Sequence, residues 1–173
     1  MVNHALLNKL ERFRKRLVNK EERPTHEEML FYNDRIGGFA TVMYFPHIEN
    51  YDKMLMKLKK TDVVCDMGAG DLRFDLMAVD VCKKVYAVEL NPVILANAIK
   101  IIGYEMPRSL IPVCCDWRYF NIPKEVTAVT CLVNIHAKDL PLKTWKENNR
   151  RVYHGVVADG VWDGYDDDGI KEF

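Results

Sequence analysis

Residues 63–71 read Val63-Val64-Cys65-Asp66-Met67-Gly68-Ala69-Gly70-Asp71. Val63, Val64 and Cys65 make a short apolar run, of the kind buried on both faces of a parallel sheet. Asp66 closes that strand. Gly68 and Gly70 then allow a sharp turn, because no Cβ obstructs the backbone. Leu72–Val79 has helical character, so strand, glycine turn and helix follow in the order of a βα unit from an open α/β sheet.

The next strand strengthens the pattern. Lys84–Leu90 is β-rich and carries Glu89 near its end. That acid lies roughly 20 residues past the glycine turn, where this architecture sets a carboxylate to accept hydrogen bonds from both ribose hydroxyls. Asn91 and Pro92 open the following helix as N-cap and first helical residue.

The dinucleotide fingerprint requires a third glycine beneath a pyrophosphate, and Arg73 stands at that position. The turn carries two acids, Asp66 and Asp71, which repel a pyrophosphate but suit a ligand bearing an ammonium and a sulfonium. An NAD-dependent oxidoreductase is disfavoured on both counts. On these residues the chain resembles the class I S-adenosylmethionine-dependent methyltransferase family. Asp66 to Asp71 looks like its first motif, Glu89 like its ribose-binding acid, and Cys114-Cys115-Asp116-Trp117 like its third motif. The resemblance covers about residues 46–158. It implies S-adenosylmethionine as cofactor, held by Asp66, Gly68, Gly70, Asp71, Glu89, Asp116 and Trp117. Asp71 would neutralise the methionine ammonium directly or through water, Asp116 would accept from the adenine amine, and the Trp117 indole would either cover the adenine or pack under the sheet.

The implied fold is α/β: a Rossmann-like, doubly wound, mostly parallel sheet of about five strands. This is a truncated class I methyltransferase core carrying an N-terminal helical extension. The corresponding division is 1–45 for the extension packed on the core, 46–158 for the cofactor-binding core, and 159–173 for an acidic tail.

Along the chain, Leu6, Leu10, Phe13 and Leu17 form one stripe of a helix over Asn3–Lys20, whose other faces are strongly basic. The basic face suits an acidic partner or nucleic acid, or is a plain solvated surface. Thr25 and Glu28 make a capping box for a helix reaching about Asn33. Phe39–Phe45 is apolar and β-rich, Glu49–Lys60 reads as a helix, and Thr61-Asp62 turns into the first strand. By resemblance, Tyr44, Phe45, Pro46, His47 and Asn50 line the cofactor pocket. Pro92–Ile102 is a helix capped by Gly103, Ile111–Cys115 and Val126–Ile135 are strands, Asp139–Arg150 is a short helix, and Arg151–Ala158 is the last strand. The terminal antiparallel pair of a full-length sheet is not expected.

Ligands of open α/β sheets lie at the carboxyl ends of the strands, which places Asn134 and His136 beside the departing methyl group. They are the candidate catalytic residues: Asn134 to orient the acceptor, His136 to take its proton. Enzymes that methylate exocyclic base amines usually carry Asn/Asp-Pro-Pro-aromatic here, and this chain has Asn134-Ile135-His136-Ala137. The compact core, the Gly-x-Gly-Asp turn, the Pro46 region and the last strand are similar to small archaeal protein-lysine methyltransferases. That likeness slightly favours a protein-lysine acceptor, with RNA and small molecules as alternatives. A non-catalytic methyltransferase-like module that binds cofactor or partner is the rival from another class.

Composition adds boundaries. The 173 residues suffice for one core, and zero net charge draws the whole molecule to neither nucleic acid nor membrane. Charge is uneven: the last fifteen residues hold six acids and one base, leaving the first 158 at +5. Five cysteines without a Cys-x-x-Cys pattern suggest free thiols, no metal site and a reducing cytoplasm. No 18-residue apolar run is present, so no membrane span is expected.

Overall fold

The computed structural model describes residues 4–18, 48–133, 137–155 and 170–173. Helix α1 (His4–Val18) and helix α2 (Ile48–Leu55) precede strand β1 (Val63–Met67). Then come α3 (Arg73–Val81), β2 (Lys84–Glu89), α4 (Pro92–Ile102), β3 (Leu110–Cys114) and β4 (Ala128–Cys131). Short α5 (Leu142–Trp145), β5 (Arg151–Gly155) and β6 (Ile170–Glu172) complete the order.

The sheet runs β3-β2-β1-β4-β5-β6, with β1 to β5 parallel and β6 antiparallel to β5. Successive strands step outward from β1 to β3, and the chain then returns to the other side of β1 for β4. The carboxyl ends of β1 and β4 therefore flank a topological switch point, where such sheets leave a crevice. Every residue of β1 is buried, as its unbroken apolar run predicts. Pro112 sits in β3, which among the described residues pairs only with β2, and an edge strand tolerates a residue that cannot donate to a ladder.

Two apolar layers enclose the sheet. On one face Leu6, Leu7 and Leu10 of α1 join Tyr51 and Met54 of α2, Leu76 and Ala78 of α3, and Leu95 and Ala98 of α4. Leu10 is fully buried, which contributes roughly 2 kcal/mol for such a side chain. On the other face Ile122, Val126, Leu140 and Trp145 cover Val63, Cys65, Met67, Val129 and Val152. The crossover from β3 to β4 contains no helix and reaches this face through turns.

Local sequence sets the helix ends. The Asn91 side chain accepts from Val93 N–H at 2.9 Å and Ile94 N–H at 3.3 Å, Pro92 is the first helical residue, and Gly103 caps α4 at φ 57°. Elsewhere the elements are shorter than the sequence suggests. The helix expected over Glu49–Lys60 ends at Leu55, where Lys57 and Leu58 switch to tighter bonds onto Met54 and Leu55. The strand expected over Val126–Ile135 is confined to Ala128–Cys131 among the described residues. The helix expected over Asp139–Arg150 is broken. Pro141 biases Leu140 away from helical geometry, and Asn148 and Asn149 adopt positive φ.

The sheet also has one strand more than the five expected. Ile170–Glu172 pairs along β5, with Tyr153 opposite Glu172 and Gly155 opposite Ile170. Ile170 packs against one core layer and Phe173 against the other, so the end of the acid-rich tail closes the sheet's edge. Among the described residues no helix is long and apolar enough to cross a membrane.

Candidate functional site

The turn after β1 is built from alternating left-handed residues: Gly68 at φ 88°, Gly70 at φ 57° and Leu72 at φ 64°. Gly68 and Ala69 N–H both donate to the Val88 carbonyl, at 2.8 and 3.0 Å, which ties the turn to the neighbouring strand. A Cβ on Gly68 would lie 2.4 Å from Val133 Cγ1, so only glycine fits beneath the residue that follows β4. Leu72 lacks that freedom. A buried non-glycine residue in this conformation costs about 1–2 kcal/mol.

Glu89 stands at the end of β2 with both carboxylate oxygens engaged. Gly70 N–H donates to Oε2 at 2.8 Å and Asn91 N–H to Oε1 at 2.7 Å. The carboxylate is thus aimed by the first turn and by the start of α4, while its remaining lone pairs stay available. Burial raises its pKa, and the hydrogen bonds from Asn91 and Gly70 oppose that rise. Beside it lies a cavity of about 460 Å³ lined by Leu90, Pro92, Cys114, Cys115, Asp116 and Arg118. Two apolar side chains, a carboxylate and a guanidinium in one concave site suit a flat heterocycle carrying an amine.

The expected residues fall into three groups. Gly68, Gly70 and Glu89 lie together at the switch point, with Asp116 lining the adjoining cavity. Asp66, Asp71 and Trp117 are engaged in packing or pairing. Asp66 is buried within β1 and its Oδ1 accepts the Thr130 hydroxyl at 2.6 Å from β4. Burial pushes its pKa up to about 7, the Thr130 bond opposes this, and nearby Glu89 adds to it. Asp71 is paired within the protein. Its side chain is 1% exposed and its Oδ2 accepts Arg73 Nε at 2.7 Å, so its charge is matched inside the protein. Trp117 packs against Trp145 at a centroid distance of 5.4 Å and an interplanar angle of 66°, so its indole belongs to the second core layer. Asn134 and His136 lie outside the described residues, as do Tyr44, Phe45, Pro46 and His47; Asn50 falls within α2.

Several residues of the site carry no isolated sequence signal. Arg118 holds Asp116 through Nε at 3.0 Å to each oxygen and Nη2 at 2.5 Å, and its backbone N–H also donates to Oδ1 at 2.9 Å. The Asp-x-Arg spacing is the one trace of this in the sequence. Thr130 reaches Asp66 through strand register, which sequence alone does not specify. Asp75, in the first turn of α3, is wholly buried and neither carboxyl oxygen finds a hydrogen-bond partner among the described residues. Burial first, and then Asp66, raise its pKa well above the usual range.

No protein-family profile and no curated protein sequence matches the chain. Solved structures do. A dimethyladenosine transferase from Plasmodium falciparum superimposes with a TM-score of 0.53 at 19% identity, over 64% of this chain and 42% of that one. The TYW2 protein of M. jannaschii, solved in complex with AdoMet, gives 0.52 at 25% identity, over 62% and 50%. The 23S rRNA methyltransferase ErmE gives 0.54 at 12% identity, over 65% and 47%. The chain thus spans half or less of the length of these neighbours. Its mostly parallel six-stranded sheet is the Rossmann-like fold that they share.

Proposed function

We propose that this chain is an S-adenosylmethionine-dependent methyltransferase. The observation that carries the reading is the Glu89 carboxylate, held by Gly70 and Asn91 N–H beside the glycine bend at the switch point. A ribose diol meets a two-oxygen acceptor there, beside a turn held to β2 by the Gly68 and Ala69 N–H bonds to the Val88 carbonyl. Leu90 and Pro92 supply an apolar wall for adenine, and Asp116 an acceptor for its amine. The cofactor, when bound, supplies an electrophilic methyl group on sulfur. The protein's task is then alignment of the acceptor and exclusion of water. In this reading Asn134 orients the acceptor and His136 takes its proton.

RNA is the favoured acceptor. Among the neighbours compared above, ErmE is named as a 23S rRNA methyltransferase, and none is named for protein lysine. Helix α1 adds exposed Lys9 and Arg12 opposite its buried leucines, a surface suited to phosphates.

Calorimetry tests the cofactor: S-adenosylmethionine and S-adenosylhomocysteine are expected to bind and NAD is not. Transfer of tritiated methyl groups into a cell extract, fractionated into RNA, protein and small molecules, tests the acceptor. Label in the RNA fraction supports the reading, and label in protein alone replaces RNA by a protein acceptor. Cofactor binding without any transfer identifies a non-catalytic module instead.

A further inference from the structure

Arg73 occupies the position where a dinucleotide-binding turn needs glycine, yet its side chain does not enter the cofactor crevice. It folds back. Asp71 Oδ1 accepts the Arg73 backbone N–H at 3.3 Å while Oδ2 accepts Nε at 2.7 Å. The same carboxylate thus grips both backbone and side chain of the residue two further on, closing a ring around Leu72. Leu72 is the strained member of the turn, at φ 64° and ψ 12°, with its side chain wholly buried. Arg73 Nη2 reaches the Tyr51 hydroxyl at 3.3 Å, and the guanidinium lies 5.6 Å from the Tyr51 ring centroid. Tyr51 in turn packs on Phe74 with centroids 5.7 Å apart, so α2 braces the pair from outside the turn.

A buried ion pair is a poor device for stability, since desolvation consumes most of its attraction. Fixing a geometry is what such a pair does well. The bend needs a left-handed residue at position 72, and leucine, which fills the core there, does not adopt that conformation by its own preference. We infer that the Asp71–Arg73 pair, braced by Tyr51, is a positioning device that locks Leu72 left-handed and so keeps the Gly68–Gly70 turn shaped for the adenosyl ligand. These are positioning residues and touch no ligand. The affinity part of the inference rests on the function proposed above.

The test uses the full chain with S-adenosylhomocysteine as probe, and amide exchange without ligand as a separate readout. Arg73→Lys keeps the charge but loses the planar fork, and its affinity is expected to fall about tenfold, with Tyr51→Phe falling less. Thr127→Val serves as a control, because Thr127 bonds Asp62 and Val63 at the opposite end of the sheet. It is expected to lower the melting temperature while leaving affinity within about twofold. Ligand-free Arg73→Lys should also exchange its Gly70 and Leu72 amides about tenfold faster than wild type, with the β1 amides unchanged. Unaltered exchange in both Arg73→Lys and Tyr51→Phe overturns the lock whether or not any ligand binds. Equal affinity losses in Thr127→Val and Arg73→Lys overturn it as well. Faster exchange in a protein whose wild type binds no adenosyl ligand upholds the lock and discards the methyltransferase reading.

Discussion

Gly70 and Glu89, nineteen residues apart, are joined by a 2.8 Å hydrogen bond from the glycine N–H to the carboxylate Oε2. The bond couples the two successive βα units: the bend after β1 fixes the acid that ends β2. Glu89→Ala is expected to weaken S-adenosylhomocysteine binding about 10- to 100-fold, the range for a hydrogen-bonded charge. Glu89→Gln should lose nearly as much, because its NH₂ would face either the Gly70 or the Asn91 N–H. Calorimetry decides it, and affinity retained within twofold in both variants removes Glu89 from the site.

Gly68→Ala tests the space in the bend. The added methyl would lie 2.4 Å from Val133 Cγ1 at a residue with φ 88°. Strain and overpacking together should destabilise the protein by about 2–5 kcal/mol and abolish cofactor binding. Val133→Ala in the same chain should recover part of the stability but little of the binding, because the strain at φ remains. Urea unfolding and calorimetry on both variants check the two halves separately.

Asp66 and Asp75 give an unusual dependence on pH. Burial pushes Asp66 from its ordinary 3.8 up to about 7, and raises Asp75 in the same direction. A carboxyl with a raised folded-state pKa holds its proton more tightly in the native protein. Its contribution to stability is complete below the unfolded value and is lost as pH climbs through the folded one. These two groups should therefore make the protein less stable as pH rises from 4 towards 7 or beyond. Asp75→Asn, which cannot ionise, should gain about 1–2 kcal/mol at alkaline pH and little in acid. Asp66→Asn retains an acceptor for Thr130 and should flatten the same profile. Unfolding curves parallel to wild type across that interval would refute both assignments.

Arg118 and Trp117 are adjacent but differ in role. The Arg118 side chain is 63% exposed, so Arg118→Ala should change stability by less than about 1 kcal/mol. It would also leave Asp116 without its guanidinium partner, and the carboxyl pKa, now held below its usual range mainly by the Arg118 hydrogen bonds, should return upward. Trp117→Ala removes the edge-on contact with Trp145 and should destabilise the core by about 2–3 kcal/mol. Melting temperatures separate the two, and a larger loss for Arg118→Ala would reverse the assignment.

Adjacent residues in the sequence were enough to specify the βα units. The apolar run Val63 to Cys65, the positive-φ glycines and the Asn91-Pro92 cap are local features, so turn geometry and capping follow from residue type, and Glu89 is legible by its spacing from the glycine turn. Where an element depends on what covers it, the sequence was silent. Ile170–Glu172 becomes a strand because β5 offers an open edge, and three residues of an acid-rich tail carry no periodicity to announce this.

The charges divide along the same line. That two acids, Asp66 and Asp71, flank the first glycine turn is plain from the chain itself, and on sequence alone they disfavour a pyrophosphate. Which partner each acid takes within the chain was decided by folding. Arg73 takes up Asp71, Arg118 binds Asp116, and strand register brings Thr130 to Asp66. A carboxylate's partner is fixed by distance in three dimensions, and the Coulomb and desolvation energies that set its protonation depend on that distance and on burial.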